Sequence, residues 1–410
     1  MKKQNNKSAN SIIILCWLAY TVAYLGRLNL NAYIEPIRDQ LGSTKTELGL
    51  VSSFFFFSYG AGQLVHGILS KRYNTRYSVS IALIGSAASN LAMTFCGSAA
   101  GMKYVWLFNG FFQAILWSSV VKTLGERLSD EMLPRAIVAM STPPAVGTFL
   151  VYGVSAMLSS LGVNYKTVFY IPSLLLVTSG VLWFVFTGKT DKAEIKTDAT
   201  QTTDGKRLKL TPIFVLSAVL LAFAAISNGF IKDGVTTWTP SILKENYGLK
   251  ESLSILVTVI LPLIAIMGSL LSTSLHKRIK NTSLINCILY FAEAAVLLCV
   301  MLSAKSTTFR RPVLLIALFG ISAMLMSAVN NVITSIIPLY MRDRAQPGLL
   351  AGVLDTFCYV GSMLSTGLLG YISDVGSWNG VFMCLLIFGA SAFVICAVSA
   401  LINKRSISGD

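Results

Sequence analysis

Charged residues and histidine are scarce in this chain. Only 12% of its 410 residues are Asp, Glu, Lys or Arg, and two are histidine, whereas about 25% of a soluble domain is charged. The apolar fraction, 54%, is more than a soluble core needs. No phosphate-binding loop and no cluster of metal ligands is present in the sequence. These absences argue against an enzyme and against a resident cofactor or metal, and they favour a membrane protein.

Cysteine motifs with redox or metal-ligand spacing are also missing. The seven cysteines occur in or beside apolar segments, without a Cys-x-x-Cys motif or a histidine partner. We therefore interpret them as small packing residues.

Apolar runs, by contrast, are long and numerous. Twelve of them reach the roughly 20 residues that a helix needs to cross a bilayer, which predicts an all-α membrane protein with twelve transmembrane helices. A polar stretch, 188–210, divides the runs into six and six and is predicted to be a flexible cytoplasmic linker. The expected units are an N-terminal six-helix bundle, 1–187, and a C-terminal six-helix bundle, 211–410. The runs cover residues 12–36, 47–69, 77–97, 104–124, 135–158, 166–187, 211–238, 252–274, 282–303, 312–336, 348–371 and 378–402.

Lysine and arginine are distributed unevenly between alternate loops. With both termini in the cytoplasm, 21 basic residues lie on the inner side and nine on the outer side, and the other three lie within predicted helices. Positive charge concentrates on cytoplasmic loops, so both termini are predicted to be cytoplasmic. The net charge of +15 then reflects topology, and its dispersal over short loops argues against a nucleic-acid partner.

The first apolar run contains an arginine, Arg27. Placing an arginine at the centre of a bilayer costs at least about 2.5–3.5 kcal/mol, so it normally faces a bundle interior or an aqueous cavity and meets an anion there. Tyr20, Tyr24, Arg27 and Asn31 recur every three or four positions, which places them on one helix face. This face is polar and is predicted to line a cavity.

The two halves of the chain repeat one pattern. Arg27 lies nine residues before Pro36, and in the seventh run Lys232 lies eight residues before Pro240. Two related halves that meet on a central axis would bring both cations to one cavity at the midplane, where transporters built from repeats bind their substrates.

Structural interpretations of the two cations remain open. Lys232 could extend toward the membrane surface or neutralise its neighbour Asp233. Arg27 could pair with Glu35 or with another acid. The repeat of a cation in both first helices favours the functional interpretation.

Five segments carry a family resemblance: YLGRLN, SYGAGQLVHGILSKRYNTR, FFQAILWSSVVKTL, KDGVTTWTPSILKE and DTFCYVGSMLSTGLLGYISDVGSWNGVFM. Together they resemble the organophosphate:phosphate antiporter family of the major facilitator superfamily, over nearly the whole chain. The resemblance implies a major facilitator fold with two pseudo-symmetric halves. It also implies that Arg27 and Lys232 bind the phosphate of a glycerol or sugar phosphate that is exchanged for inorganic phosphate. Family members place tyrosines around the cavity at positions that correspond to Tyr20, Tyr24, Tyr59 and Tyr359.

The chain departs from members of that family that carry glycerol phosphate. It has Lys232 where they have arginine, Gln63 where they have lysine, and Pro143-Pro144 where they have histidine. Only a guanidinium can hold an oxyanion through two parallel hydrogen bonds, so we expect a less basic cavity, which Gln63 and Trp117 would also line. The two prolines should break or kink the fifth helix.

Asp355 and Glu293, two of the carboxylates within the apolar runs, are candidates for coupling. Asp355 precedes Tyr359 by one helical turn, and it could bind a substrate amine, carry a proton, or form a structural pair with Lys232. Glu293 is in the ninth run, which lies peripherally in this superfamily, so a structural role is favoured for it.

The sequence thus predicts a secondary transporter of a small organic anion that works by alternating access. Exchange of an organophosphate for phosphate is the first interpretation. Proton-coupled symport of an organic carboxylate, such as a sugar acid, is the alternative that the less basic cavity favours. A non-transporting membrane sensor of sugar phosphate is a third. The expected partners are the anion, phosphate or a proton, and the lipid bilayer, for a monomer in a bacterial plasma membrane.

Overall fold

Helices connected by short turns make up the part of the chain that the structure describes, and no strand occurs there. This computed structural model describes residues 6–69, 74–129, 131–140, 142–188, 212–305, 311–340 and 347–407. The predicted linker, 188–210, lies outside the described residues except for Gly188, where the last helix of the first half ends.

The helices follow the predicted apolar runs in order. In the first half, residues 6–188, they are α1 (Asn6–Ala32), α2 (Ile34–Leu41), α3 (Lys45–Leu69), α4 (Thr75–Met93), α5 (Ala99–Arg127), α6 (Leu133–Met140), α7 (Pro143–Ser160) and α8 (Thr167–Gly188). In the second half, residues 212–407, they are α9 (Pro212–Tyr247), α10 (Glu251–Thr258), α11 (Ile260–Arg278), α12 (Thr282–Lys305), α13 (Pro312–Asn331), α14 (Ile337–Tyr340), α15 (Pro347–Val375) and α16 (Trp378–Ile407), with a π-helical segment, Val332–Ile336, between α13 and α14.

Ten of the predicted runs form helical segments that are long and apolar enough to cross a membrane. The other two runs correspond to α4 and to the α6–α7 pair. Both are helical and lie in the same bundle, because α4 packs against α5 and α8, and α7 packs against α1. Large apolar side chains on the outer surface, such as Phe57, Leu174 and Leu270, are exposed, as expected for helices that face lipid.

Proline accounts for three interruptions in the helices. α7 begins at Pro143 and Pro144, which separate it from α6 as predicted. α10 ends at Thr258, because Pro262 has no N–H to donate to the Thr258 carbonyl. The π-helical segment directly precedes the turn that contains Pro338. The last two interruptions were not predicted, since the eighth and tenth runs read as continuous.

Glycine allows close contact between helices that build the centre of the protein. A Cβ atom at Gly229 on α9 would lie 1.7 Å from the carbonyl oxygen of Cys358 on α15. A Cβ atom at Gly49 on α3 would lie 2.3 Å from the carbonyl oxygen of Thr366 on α15. Backbones can approach this closely only where the side chain is absent. α15 therefore packs tightly against α9 of its own half and against α3 of the other half.

One end of the bundle carries α2 and the turns at Gly42, Gly162 and Gly248, and we call it the α2 face. These three glycines have φ angles of 62°, 63° and 68°, the left-handed conformation that commonly ends a helix and that glycine adopts without strain. The Tyr165 hydroxyl donates a hydrogen bond of 2.9 Å to the Cys96 carbonyl and so joins the turn that contains Gly162 to the turn between α4 and α5.

Candidate functional site

Arg27 is enclosed by aromatic rings in the middle of the bundle. Its side chain is 7% exposed, and its Cζ atom lies 4.0 Å from the ring centroid of Tyr59. Phe55, Tyr24 and Tyr359 surround it at centroid distances of 5.3, 5.5 and 5.6 Å. Arg27 Nη2 also donates a hydrogen bond of 3.2 Å to the Tyr359 hydroxyl. The structure thus brings three of the predicted tyrosines together around Arg27, one of them from the second half.

Arg27 lacks a carboxylate partner within the described part of the chain, where no acidic oxygen lies within 4.0 Å of its guanidinium. Glu35, the partner that the sequence left open, instead pairs with Arg38 at 3.0 Å. Aromatic faces attract a guanidinium by about 0.5–2 kcal/mol, but they carry no net charge. A buried cation without a counter-ion is costly, so this position suits an anion that a ligand supplies.

Tyr20 and Trp117, two further predicted residues, extend the layer of aromatic rings around Arg27, which we call the aromatic wall. The Tyr20 ring lies 4.9 Å from the Trp117 ring and meets the Tyr24 ring edge-on at 5.4 Å. Gln63 is half-buried one turn beyond Tyr59 on α3. The wall therefore extends from Arg27 away from the α2 face.

Asn31 was predicted to line the cavity, but its polar atoms are already occupied. Its Nδ2 donates to Thr237 Oγ1 at 3.2 Å, and its Oδ1 accepts from Ser52 Oγ at 2.6 Å. Nearby, Ser53 Oγ lies 2.9 Å from Thr366 Oγ1 of the other half. In this conformation these contacts join the halves between Arg27 and the α2 face.

Lys232, the second predicted cation, forms an ion pair with its neighbour in the sequence, Asp233. Its side chain is 33% exposed, and its Nζ lies 3.8 Å from Asp233 Oδ1. Asp233 also accepts a hydrogen bond from the Ser362 hydroxyl. Neutralisation of Lys232 by Asp233, which the sequence left open, is thus the arrangement in this conformation.

Asp355 is half-buried on α15, one turn before Tyr359. It is close enough to interact electrostatically with Lys232 and Arg27. Among the described residues, however, no basic nitrogen lies within 4.0 Å of its carboxylate and no donor forms a hydrogen bond with it. A direct ion pair between Asp355 and Lys232, one of its three possible roles, is not formed in this conformation.

Glu293, the other coupling candidate, lies elsewhere. It is fully buried, and its Oε1 accepts a hydrogen bond of 2.5 Å from the Ser322 hydroxyl. Its helix, α12, packs mainly against α13 and α16. The structure therefore does not bring Glu293 together with Arg27.

Three residues of the site did not emerge from the sequence as cavity residues. Phe55 belongs to a run of four phenylalanines, in which periodicity does not distinguish one position from the next. Asp233 was recognised only as a neighbour of Lys232. Ser362 is an ordinary serine of an apolar helix, and only its contact with Asp233 distinguishes it.

Charged side chains from both halves form a second polar cluster, at the α2 face, which we call the α2-face ion network. Lys244 Nζ lies 2.7 Å from both Asp39 Oδ2 and Glu251 Oε2, and Arg38 pairs with Glu245. Lys45 Nζ lies 2.9 Å from Glu245 Oε2. These ion pairs connect the halves. The members are Glu35, Arg38, Asp39 and Lys45 from the first half and Lys244, Glu245, Glu251 and Asp374 from the second.

Glu35 and Asp39, two acids of the network, have pKa values that are shifted in opposite directions. Burial raises the pKa of the Glu35 carboxyl above its ordinary value, although Arg38 and Lys244 oppose this. Burial acts in the same direction on Asp39, but the hydrogen bond and charge of Lys244, together with Arg38, hold the pKa of Asp39 below its ordinary value.

Comparison with known proteins gives one family and several relatives. The model of the Major Facilitator Superfamily matches residues 16–346. The glycerol-3-phosphate transporter of Bacillus subtilis (strain 168) is 25% identical, over 96% of this chain and 93% of that protein. The hexuronate transporter of the same strain is 23% identical, over 96% of this chain and 94% of that protein. A solved bacterial homologue of the human lysosomal transporter Spinster, inward-facing and unoccupied, has the same fold, with a TM-score of 0.70 and 15% identity over 98% of this chain and 99% of that one.

Proposed function

Because this chain belongs to the Major Facilitator Superfamily, we propose that it exchanges an organophosphate, such as a sugar or glycerol phosphate, for inorganic phosphate. It is a multi-pass membrane protein and a secondary transporter of that superfamily, not an enzyme. The predicted twelve-helix major facilitator fold is confirmed by the family match and by the likeness to solved transporters.

The observation that carries the proposal is the environment of Arg27. Its guanidinium is buried beside three tyrosines and has no carboxylate partner in the described part of the chain. A guanidinium can hold two oxygens of a phosphoryl group in parallel, and the tyrosine hydroxyls can donate to the others. The name of the Bacillus subtilis glycerol-3-phosphate transporter supports a phosphoryl group as the anion.

The contacts between the halves support alternating access. Asn31 and the α2-face ion network join them between Arg27 and the α2 face. In our proposal both termini and the linker, 188–210, are cytoplasmic, so the α2 face is extracellular and this conformation faces inward. The bundles 1–187 and 211–410 would then rock about Arg27 and Lys232 in a bacterial plasma membrane.

Exchange in reconstituted vesicles tests the proposal. Vesicles loaded with inorganic phosphate should take up labelled glycerol phosphate or glucose 6-phosphate. Arg27→Ala should abolish this exchange while the protein still folds, and Arg27→Lys should lose most of it, because the charge stays but the two-point contact is lost. Arg135→Ala, which removes an exposed arginine of the same half, is the control. Undiminished exchange by Arg27→Ala would refute the role of Arg27.

A second candidate is proton-coupled symport of an organic carboxylate. It is favoured by Asp355, whose carboxylate is without an ion pair among the described residues, and by the name of the hexuronate transporter relative. Vesicles with an imposed pH gradient and no internal anion distinguish the two candidates. Concentrative uptake of a sugar acid that is lost in Asp355→Asn would establish proton-coupled symport and would rule out the exchange mechanism.

A further inference from the structure

The central site contains two cations and two acids. Lys232 and Asp233 lie 3.8 Å apart and largely offset each other. Arg27 and Asp355 then remain, each without an oppositely charged side chain within 4.0 Å among the described residues. The site therefore presents one positive and one negative group that each lack a direct ion-pair partner among the described residues.

We propose that the transported organophosphate carries an amino group, and that Asp355 binds this group as an ammonium ion. The inference rests on the proposed function, because Arg27 is assigned there to the phosphoryl end of the substrate. It adds the chemical class of the organic part: an amino alcohol phosphate or an amino sugar phosphate.

Charge balance in the site supports an amino group. A phosphoryl group on Arg27 places a second negative charge near the Asp355 carboxylate. In the interior of the protein these two like charges are only weakly screened from each other. A substrate with a hydroxyl at its other end does not relieve this. An ammonium ion supplies the missing charge and donates a charge-assisted hydrogen bond to the carboxylate.

The spacing of the two subsites is also suitable. Tyr359 contacts Arg27 through its hydroxyl at 3.2 Å, and Asp355 lies one helical turn away on the same face of α15. Side chains four residues apart on a helix begin about 5–6 Å from each other. A small molecule with a few bonds between phosphorus and nitrogen can therefore reach both groups.

Matched pairs of ligands test the inference. Glucosamine 6-phosphate and glucose 6-phosphate differ by one amino group in place of a hydroxyl, and ethanolamine phosphate differs in the same way from 2-hydroxyethyl phosphate. Each is added as a competitor of phosphate homoexchange in vesicles that contain the full-length protein. We expect the amino member to inhibit at about 10- to 100-fold lower concentration, which is the worth of one charged hydrogen bond. N-acetylglucosamine 6-phosphate, whose nitrogen carries no charge, should behave like glucose 6-phosphate.

Variants of α15 identify the residue responsible. Asp355→Asn should bring the ratio of the two inhibitory concentrations close to one, and Asp355→Glu should retain a preference for the amine. Asp374→Asn, on the same helix but in the α2-face ion network, should keep the wild-type ratio. The ratio is taken within each variant, so a change in overall activity does not affect it. If Asp355→Asn fails to fold, the wild-type ratio together with that of the N-acetyl analogue still shows whether the site prefers a charged amine, and a wild-type ratio of one overturns the inference.

The outcomes separate this inference from the proposed function. Equal inhibition by the amino and hydroxy members of each pair would overturn the inference and leave organophosphate exchange intact. A preference for the amine that survives in Asp355→Asn would also overturn it. If neither member inhibits and phosphate is not exchanged, the proposed function itself fails.

Discussion

The ammonium nitrogen of Lys244 lies 2.7 Å from the Asp39 carboxylate, and this ion pair joins the second half of the protein to the first. Lys244 also lies 2.7 Å from Glu251 and 3.6 Å from Glu35. Asp39 must separate from Lys244 before the α2 face can open. The pair therefore stabilises the conformation in which that face is closed.

Removing Lys244 should shift the protein toward the open α2 face. Its side chain is 24% exposed, so we expect Lys244→Met to cost the closed conformation about 1–3 kcal/mol, between the values for surface and for buried pairs. The measurement is the labelling rate of Leu28→Cys, beside Arg27, in a cysteine-free protein, with an impermeant maleimide added to intact cells. Labelling should become faster, whereas Lys250→Met, which removes an exposed lysine of the same face, should not change it. Unchanged labelling in Lys244→Met would mean that the network does not control opening.

Acidification should strengthen the closed α2 face through Glu35. Arg38, Lys244 and Glu245 face its carboxyl, yet burial dominates and raises its pKa. The closed conformation therefore binds a proton more readily than an open one in which Glu35 is hydrated, so closure becomes more favourable as the pH falls through the raised pKa. The pKa of Asp39 is lowered in the closed conformation, so protonation of Asp39 opposes closure. This occurs only at a pH near or below the ordinary pKa of an aspartate carboxyl.

The same cysteine reporter measures this pH dependence. As the pH is lowered from neutral toward the ordinary pKa of a glutamate carboxyl, labelling of Leu28→Cys should fall relative to an exposed reporter, Lys250→Cys, which corrects for the lower reactivity of thiols in acid. Glu35→Gln, which mimics the protonated form, should label slowly throughout this range. If Glu35→Gln keeps the wild-type pH dependence of labelling, a group other than Glu35 is responsible for that dependence.

A methyl group at the contact between α9 and α15 should destabilise the protein. Gly229→Ala would place its Cβ 1.7 Å from the Cys358 carbonyl oxygen, and relieving such a contact requires backbone movement that typically costs about 1–3 kcal/mol or more. Gly352→Ala on α15 is the control, since no atom lies within 4 Å of its Cβ and alanine favours helix by up to about 1 kcal/mol. Thermal unfolding in detergent should show a lower midpoint for Gly229→Ala alone. Equal midpoints for the two variants would contradict the close contact.

Hydropathy and helical spacing were sufficient for much of this structure. Runs of apolar residues place the membrane helices because a bilayer demands about 20 such residues for each crossing. A period of three or four residues placed Tyr24 beside Arg27, where the structure has it at 5.5 Å. Both inferences depend only on properties within a single helix.

Hydropathy and helical spacing did not predict contacts between distant parts of the chain. Asn31 belongs to the same stripe as Arg27, but its amide is occupied by Thr237, 206 positions away. The α2 helix extends past the first apolar run because its charged residues find partners in the second half. The same contacts determine which face of the protein is closed. They join residues that are far apart in the sequence, so a pattern within one segment does not predict them.

Labelling of the linker tests the proposed topology. Cysteines introduced between residues 190 and 205 should react with an impermeant maleimide only after cells are permeabilised, because the excess of basic residues predicts that this segment is cytoplasmic. A cysteine at Lys250, beyond α9 on the α2 face, should react in intact cells and serves as the opposite control. Reaction of the linker from outside intact cells would reverse the orientation and would make the α2 face cytoplasmic.

Glu293 should prove structural and not a proton carrier. It is fully buried within the second half, where the Ser322 hydroxyl donates to its Oε1 at 2.5 Å. Glu293→Gln keeps the shape and an acceptor oxygen for Ser322, so transport and any dependence on a pH gradient should persist.

Glu293→Ala should instead destabilise the protein by about 2–4 kcal/mol, since it leaves a cavity and deprives the Ser322 hydroxyl of its partner. Ser322→Ala should cost less, and the double variant should cost less than the sum, because both changes remove one shared hydrogen bond. Thermal unfolding and vesicle uptake on the same preparations separate stability from transport. Loss of uptake by Glu293→Gln with an unchanged unfolding midpoint would show that a carboxyl group, and not only its shape, is required there, and Glu293 would then be a coupling residue at a distance from Arg27.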